Sequence, residues 1–276
     1  MGSSVDRAIG RLLAEGEVHV TWSGVAGDAA APVVTVTLSR PAARNAQTPA
    51  MWRALAAIGA ELPPQTRVVV LKGAGPTFSA GIDLAMLGAE GIPGEIAVRD
   101  IAKLGDEQAH SLISQYQSAF TWWSDRSDVI TIAAVQGAAV GAGFQLALAC
   151  DLRLCADDAR FAMKETSLGL VPDLAGSKPL VTILGYQRAL EVAVTGRWIA
   201  AQEAVRLGLA LLTVPAADLE SSVDDLVSAI LAAPVQSVRA TKGLLQHAVG
   251  AEVVRQRELE RSTQIELIRA LVGPAT

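Results

Sequence analysis

The feature that most limits what this chain can fold into is the apolar stretch at residues 129–154, VITIAAVQGAAVGAGFQLALACDLRL. Its first residues are rich in β-branched side chains, which is typical of a strand covered on both faces. Gly137, Gly141 and Gly143 then allow a sharp turn that brings peptide N–H groups close to a ligand. The stretch resumes as a helix with Ala142 in its first turn, where unpaired N–H donors suit a negatively charged oxygen. A plain strand-to-helix joint explains this stretch equally well on its own.

A second glycine-bearing turn, FSAGIDL at residues 78–84, follows another predicted buried strand at residues 67–72. Two turns that present N–H groups after buried strands can converge to form an oxyanion hole. Neither glycine pattern fits a phosphate-binding P-loop or a dinucleotide-binding turn. The sequence has no GxSxG motif and its three histidines fall in no constellation with a nucleophile, which argues against a serine hydrolase.

Composition narrows the function classes further. Of the 276 residues, 51% are hydrophobic, which is ample for one large core. The 23 Lys and Arg residues against 28 Asp and Glu residues give a net charge of -5 without a basic block, so no nucleic-acid partner is expected. Cys150 and Cys155 are predicted to be core residues in a reducing compartment, and no metal site is predicted. The charged N-terminus and the lack of an apolar run of about 20 residues predict a cytoplasmic protein with no membrane partner.

The remaining elements follow from periodicity and from helix-capping signals. Residues 17–22 and 33–38 predict a hairpin with a Gly-, Ala- and Pro-rich loop at residues 23–32. Thr48 is the predicted N-cap, and Pro49 the first residue, of the helix that follows. Residues 107–125 predict a long amphipathic helix. Past Pro179 the chain is predicted to be helical, over residues 181–194, 201–207, 217–231, 235–249 and 252–271.

Two acidic residues, Glu165 and Asp173, lie in an otherwise apolar segment after the central stretch. Burial raises the pKa of a carboxyl group, which allows such residues to exchange protons near neutral pH. The alternative is structural, with Glu165 capping a turn and Asp173 capping the following helix. The Gly- and Pro-containing segment at residues 88–106 is predicted to be mobile beside this site.

Five motifs, taken in order, resemble those of the crotonase superfamily, also called the enoyl-CoA hydratase/isomerase family: SRPAARNA, FSAGIDL, VQGAAVGAGFQLALACDLRLCADDARF, ETSLGLVPD and ALEVAVTGRWIAAQEAVRLGL. The resemblance implies an α/β fold, the ClpP/crotonase spiral of ββα units with C-terminal helices, assembled as a homotrimer or a dimer of trimers. It divides the chain into a core domain at residues 1–200, with the CoA and oxyanion-hole motifs, and a helical region at residues 201–276 for oligomerisation and active-site cover. The implied substrate is an acyl-CoA thioester, so coenzyme A belongs to the substrate and no separate cofactor is expected.

The resemblance also implies residue roles. The peptide N–H groups of Ile82 and Ala142 would hold the thioester carbonyl oxygen. Arg44 would pair with a phosphate, although a solvated surface arginine explains its position nearly as well. Coenzyme A is expected to lie against Arg44, Asn45, Ala46, Ser79, Ala80, Gly81, Asp83, Leu84 and Gly141.

The acidic positions decide the predicted reaction. Hydratases of this family generally carry glutamates at the positions of Gln145 and Glu165, and an amide at the first position cannot act as a general base. The acidic motif is closer to the dienoyl-CoA isomerase branch, although the third acid usual in that branch is also replaced by Gln145. We therefore expect an acyl-CoA double-bond isomerase, with Asp173 as base and Glu165 as acid or second base. Hydration by Glu165 alone and an acyl-CoA-binding protein with impaired catalysis are the alternatives.

Overall fold

The computed structural model describes residues 4–23 and 32–272. Residues 24–31, which form most of the predicted hairpin loop, lie outside this description. The strands are β1 Val18–Ser23, β2 Val33–Leu38, β3 Val68–Gly73, β4 Ile130–Val135, β5 Ala138–Val140, β6 Leu152–Ala156, β7 Arg160–Ala162, β8 Ile199–Ala200 and β9 Leu212–Val214.

The helices alternate with the strands in the first two thirds of the chain and dominate the last third. They are α1 Ser4–Glu15, α2 Pro49–Glu61, α3 Val98–Ile101, α4 Asp106–Asp125, α5 Ala142–Ala149, α6 Ser177–Leu184, α7 Tyr186–Thr195, α8 Ala201–Arg206, α9 Leu219–Ala232, α10 Val235–Ala248 and α11 Val253–Val272. Four short 3₁₀ turns lie at Pro41–Ala43, Leu84–Leu87, Glu165–Leu168 and Ala216–Asp218.

The strands form a six-stranded sheet in the order β1-β2-β3-β4-β6-β9 and a smaller sheet in the order β5-β7-β8. In the large sheet β1 is antiparallel to β2, and every other pair is parallel. Parallel neighbours need a crossover connection, which α2, α4 and α5 supply between β2 and β3, β3 and β4, and β4 and β6. The turns that follow β3 and β4 therefore lie at the same end of the sheet, where the parallel strands have their C-terminal ends.

Two layers of helices cover the large sheet. On one face α2, α4 and α5 enclose the main core, in which Phe120 and Phe144 are almost fully buried. On the other face Val223 and Val227 of α9 pack against strand residues that include Ile132. Because both faces are covered, the central strands carry apolar side chains in succession rather than in alternation.

The structure confirms the main predicted elements. Residues 129–154 form β4, the turn, α5 and β6, and residues 17–38 supply the two antiparallel hairpin strands. Thr48 is the N-cap of α2, where its hydroxyl oxygen accepts a hydrogen bond from Met51 N at 3.2 Å. Cys150 and Cys155 are buried and unpaired core residues, as predicted. The mixed α/β fold with C-terminal helices is also the predicted one.

The C-terminal third corrects two predictions. The single helix expected at residues 181–194 is two helices, because Gly185 has a positive φ (+73°) that is not helical and ends α6. The region past Pro179 is not wholly helical, since β9 pairs in parallel with β6 through Leu154 and Leu212. Three residues are too few for a periodicity to reveal a strand. The pairing of β9 with β6 joins residues on both sides of the predicted boundary at residue 200, and the two-domain division stays a prediction. No helix in the described ranges has the length and apolarity to span a bilayer.

Candidate active site

A largely apolar cavity of about 510 Å³ opens at the C-terminal ends of the central strands β3 and β4, where the turns that follow them meet. Ile82, Ala142, Glu165 and Asp173, the four predicted catalytic positions, all line this cavity. They come from three separate segments of the chain, so the fold brings together what the sequence holds apart. Four of the positions predicted for coenzyme A line it as well, namely Ala80, Gly81, Leu84 and Gly141.

The two glycine-bearing turns touch at Gly81. This residue has φ +95°, a conformation that side-chain-bearing residues rarely adopt. A Cβ atom at this position would lie 2.7 Å from Val140 O and 3.8 Å from Ala142 N. The absence of a side chain is thus what allows the turn after β3 to approach the start of α5.

Each turn leaves a peptide N–H group free at this junction. Gln47 and Asp83 donate their N–H groups to Gly81 O and Gln47 O, a bridge that bypasses Ile82. Ala142 is the first residue of α5, where N–H groups lack an intrahelical partner. In the described part of the chain neither Ile82 N–H nor Ala142 N–H donates to a protein acceptor. The two donors and the partial positive charge of the α5 N-terminus can stabilise an oxyanion in the cavity.

Glu165 provides a buried carboxyl group beside these donors. Only 8% of the residue is exposed, and its Oε1 lies 3.4 Å from where a Cβ of Gly141 would be. Oε1 accepts a hydrogen bond from Gln145 Nε2 at 2.6 Å, whereas the buried Oε2 has no hydrogen-bond partner among the described residues. Burial raises the pKa of Glu165, and the nearby charge of Asp173 adds to this increase. Such a group can exchange a proton with a substrate.

Asp173 provides the second carboxyl group from the loop that precedes α6. Gln117 Nε2 on α4 donates a hydrogen bond to Asp173 O at 2.7 Å, which ties this loop to the helix above the cavity. Burial raises the pKa of the Asp173 carboxyl group, although part of the side chain remains open to solvent. The alternative prediction that Asp173 caps α6 is wrong, because the N-cap is Gly176.

Gln145 is singled out in the sequence as an amide at a position where the family carries an acid, and the structure shows what this amide does. It is 1% exposed and lies on α5 facing both acidic segments. Besides donating to Glu165, its Oε1 accepts hydrogen bonds from Leu174 N at 3.0 Å and Gly176 N at 3.2 Å. Nothing in the sequence indicated these three hydrogen bonds, because their partners lie 20 to 31 residues away along the chain.

The predicted coenzyme A loop is built by its own polar side chains. Asn45 is fully buried, and its Nδ2 donates to Ala74 O at 2.9 Å and Thr77 O at 2.7 Å. The buried Ser79 hydroxyl donates to Asn45 O at 2.8 Å. These two side chains therefore hold the loop in shape, while Arg44 remains exposed beside them. Contact of this loop with coenzyme A stays a prediction.

Asp83 has a comparable structural part. Its carboxylate accepts from Arg40 Nη1 at 3.1 Å and from Ala85 N at 3.0 Å, so it anchors the 3₁₀ turn that begins at Leu84. Leu84 itself is 67% exposed beside the cavity. Its position suits an apolar contact with a bound ligand.

The segment at residues 88–106 forms a wall of the cavity through Val98 and Ile101 of α3. An ion pair between Arg53 on α2 and Glu95 (Nη1 to Oε2, 2.9 Å) fastens this segment to the core. Its predicted mobility stays a prediction. The described residues contain no cluster of three His, Cys, Asp or Glu side chains able to hold a metal ion.

Comparison with known proteins identifies the family. Residues 28–271 match the family described as Enoyl-CoA hydratase/isomerase. The mitochondrial Δ(3,5)-Δ(2,4)-dienoyl-CoA isomerase of Rattus norvegicus is 34% identical over 79% of this chain and 67% of its own length. The hydroxycinnamoyl-CoA hydratase-lyase of Pseudomonas fluorescens is 31% identical over 80% of this chain and 77% of its own length. A candidate enoyl-CoA hydratase from Thermobifida fusca YX, crystallised with acetoacetyl-CoA, is 44% identical with a TM-score of 0.87, over 94% of this chain and 98% of that one.

Proposed function

The chain belongs to the enoyl-CoA hydratase/isomerase family and is an enzyme of that family, and from this premise we propose that it moves double bonds along the acyl chain of a CoA thioester. The observation that carries the proposal is that Glu165 and Asp173 line one cavity together with two free N–H donors. The complex of the Thermobifida fusca YX protein with acetoacetyl-CoA supports the thioester class. The Rattus norvegicus relative supports isomerisation of a dienoyl group.

The oxyanion donors determine where the thioester lies. Loss of a proton from the carbon next to the thioester carbonyl places negative charge on the carbonyl oxygen. The N–H groups of Ile82 and Ala142 stabilise this charge, and one such donor contributes about 10²–10³-fold to the rate. Since these donors belong to the backbone, the Ile and Ala side chains are compatible with the role.

The two carboxyl groups then act on different carbons of the acyl chain. Glu165 lies against Gly141, beside the oxyanion donors, so we assign it to the α-carbon and Asp173 to a carbon farther along. This makes Glu165 the base and Asp173 the acid in the forward direction, the reverse of the roles expected from the sequence. For a 3,5-dienoyl thioester, Glu165 takes the proton from C2 as the C–H bond breaks. The electron pair moves through the enolate to give double bonds at C2 and C4, and Asp173 gives its proton to C6. In the reverse reaction the two residues exchange the roles of base and acid.

The proton states must be restored after each turnover. One cycle leaves the proton on Glu165 and a charge on Asp173, so a proton must leave the first residue and return to the second. Asp173 is partly open to solvent and can be reprotonated from water. Its raised pKa favours the protonated state that the distal step requires.

Hydration is the second candidate function. Adding water across a 2-enoyl thioester requires groups that hold and deprotonate the water, and the position of Gln145 offers an amide without useful basicity. A hydratase built on this cavity would depend on Glu165 alone. The Pseudomonas fluorescens relative, a hydratase-lyase by name, is the observation that favours this candidate.

The proposal is tested with Asp173→Asn and Glu165→Gln, assayed on a 3,5-dienoyl-CoA and on a simple 2-enoyl-CoA. We expect each variant to lose about 10²–10⁴-fold in isomerisation rate, measured by the absorbance of the conjugated 2,4-dienoyl product. Asp157→Asn, which alters an exposed carboxylate of the β6–β7 turn, is the matched control and should retain wild-type rates.

Two results would contradict the proposal. If the wild type hydrates the 2-enoyl-CoA rapidly and Asp173→Asn does so equally well, the enzyme is a hydratase in which Glu165 works without Asp173. If the wild type binds acyl-CoA thioesters but converts none of them, the protein is a binding protein with impaired catalysis.

We also retain the homotrimer, or dimer of trimers, as a proposal. α11 exposes Ile265, Ile268 and Leu271 at spacings of three residues, which places them on one face of the helix. Burial of such a face against a second copy would stabilise the assembly. Light scattering that gave the mass of a single chain at micromolar concentration would refute it.

A further inference from the structure

We infer that Gln145 is a positioning residue whose single amide group fixes the reacting oxygen of Glu165 and the loop that carries Asp173. The inference rests on the proposed function, because it explains how the two carboxyl groups are held for separate proton transfers. It concerns a residue that touches neither reacting carbon in the proposed mechanism. Gln145 acts through its three hydrogen bonds.

The orientation of the amide is fixed by its surroundings. Two backbone donors, Leu174 N and Gly176 N, lie 3.0 and 3.2 Å from the same end of the Gln145 side chain. Only the carbonyl oxygen can accept from both, so Oε1 must lie at that end. The NH₂ group is therefore directed at Glu165, whose Oε1 it reaches at 2.6 Å.

This orientation determines which oxygen of Glu165 can react. Glu165 Oε1 already accepts from the amide of Gln145, and a proton placed there would oppose the amide hydrogen. Glu165 lines the cavity, and its Oε2 is buried without a hydrogen-bond partner among the described residues. A buried carboxylate oxygen left unpartnered costs stability, and a substrate proton would satisfy it. Oε2 is thus the proton-accepting atom.

The other end of the amide sets the position of Asp173. Leu174 follows Asp173 directly in the sequence. At Gly176 there is no room for a side chain, because an added Cβ atom would lie 2.6 Å from Gln145 Cγ. Ala175 between them has φ +64°, which a residue with a side chain adopts only at a cost of about 1–3 kcal/mol. The two hydrogen bonds to Gln145 hold the loop in this conformation. One side chain therefore fixes both acidic segments relative to α5.

A neutral amide is required for this arrangement. The other titratable groups that line the cavity with Glu165 are Asp173 on the acidic loop, Lys164 on the turn of Glu165 and Tyr116 on α4, while the adjacent α5 has no charged residue. A carboxylate at position 145 could still accept from Leu174 N and Gly176 N with one oxygen. Its other oxygen would face Glu165 Oε1 at hydrogen-bonding distance, where two carboxylates must share a proton. The basic form of Glu165 would then be scarce at neutral pH.

The test uses the full chain in three variants. Gln145→Glu keeps the acceptor for the acidic loop and replaces the fixed N–H donor to Glu165 with a carboxyl group that must share a proton with it. The double variant Gln145→Glu with Glu165→Gln restores an amide–carboxylate pair, with the carboxylate moved to position 145. Gln187→Glu adds the same charge at an exposed position of α7 and is the control.

Two readouts separate the steps. Isomerisation of a 3,5-dienoyl-CoA gives kcat and KM as functions of pH. Exchange of the α-protons of butyryl-CoA with D₂O, followed by NMR, requires the oxyanion hole and Glu165 but no transfer to a distal carbon. If the wild type exchanges α-protons without isomerising any dienoyl-CoA, the proposed function fails, and the exchange rate still tests Gln145.

We expect Gln145→Glu to lower kcat and the exchange rate at pH 7 by roughly tenfold for each unit by which the pKa of Glu165 rises, with KM changed less than threefold. Its pH profile should move to higher pH, which a purely structural role would not cause. The double variant should fold but exchange α-protons about 10²-fold more slowly than the wild type, because both oxygens at position 145 are engaged. The inference is overturned if Gln145→Glu matches Gln187→Glu in rate and pH profile. It is equally overturned if the double variant, which does not depend on the folding of Gln145→Glu, exchanges at the wild-type rate.

Discussion

The two halves of the site differ in what they are made of. The oxyanion half consists of backbone N–H groups at Ile82 and Ala142, and the chain conformation around Gly81 brings them together. The acidic half consists of side chains, Glu165 and Asp173, whose environment raises the pKa of both. A backbone donor tolerates almost any side chain but no change in main-chain path. A carboxyl group depends instead on its neighbours. A side-chain substitution should therefore leave the oxyanion donors in place but disable the acidic half.

Within the oxyanion half, the largest effect is expected from removing a backbone donor. Ala142→Pro deletes one N–H group at the first position of α5, where proline is sterically tolerated in a helix. The variant should fold and lose about 10²–10³-fold in kcat, the contribution of one oxyanion donor. Ala142→Gly keeps the N–H group and should stay within a few-fold of the wild type. A folded Ala142→Pro enzyme with unchanged turnover would show that this N–H group binds no oxyanion.

The contact between the two turns can be tested separately from backbone strain. Gly81→Ala forces a Cβ to within 2.7 Å of Val140 O, which pushes the two donors apart, and we expect roughly a 10²-fold loss of activity. Gly94→Ala provides the control, because Gly94 also has positive φ (+82°) but open space where its Cβ would lie. It should cost about 1 kcal/mol in free energy of unfolding and little activity. Equal activity losses in the two variants would mean that strain, not the contact, limits the site.

Burial of the Glu165 carboxyl group should make the free energy of unfolding depend on pH. The pKa of Glu165 is raised above its ordinary value of 4.5, so the folded state binds this proton more tightly than the unfolded state. The resulting stability is fully present below the ordinary pKa and is lost as pH rises through the folded-state pKa. Glu165→Gln should therefore unfold at a higher temperature than the wild type at pH 7, and the difference should vanish in acid.

Asp128 should affect the pH dependence of stability in the opposite direction from Glu165. Arg126 holds the pKa of Asp128 below its ordinary value of 3.8. Asp128→Asn should then lower the melting temperature at pH 7, and this loss should shrink as pH falls through the folded-state pKa of Asp128. Calorimetry of both variants and of the wild type, from pH 7 down into acid, measures the two changes in melting temperature. A Glu165→Gln protein that is less stable than the wild type at pH 7 would mean that burial of the carboxylate is fully compensated.

The smallest effect is expected at Ala175 in the acidic loop. Ala175→Gly relieves the cost of its positive φ but gives the unfolded chain more freedom, so we expect a gain of at most about 1 kcal/mol in free energy of unfolding. The rate should fall less than threefold, since Gln145 still holds the flanking N–H groups. Ala60→Gly, at an exposed helical position of α2, should instead lose about 1 kcal/mol. A destabilised Ala175→Gly protein would show that the loop conformation is not strained.

Much of the fold followed from local sequence because its signals are local. Thr48 and Pro49 mark the start of α2 by capping chemistry, and the β-branched runs of β2, β3 and β4 mark buried strands. The predictions failed where an element is short or the signal comes from a single residue. Gly185 divides one periodic stretch into α6 and α7, and the three residues of β9 gain their strand conformation only by pairing with β6.

The sequence by itself determined the backbone half of the site, because glycines such as Gly81 and the helix start at Ala142 specify main-chain geometry within a few residues. It also supplied the acidic pair, Glu165 and Asp173, as residue types. Only the tertiary structure decided how that pair is held. Gln145 reaches Glu165 across 20 residues of sequence, and Leu174 and Gly176 across 29 and 31. Hydrogen bonds over such separations depend on how α5 packs against the acidic loop, and no local pattern encodes that packing.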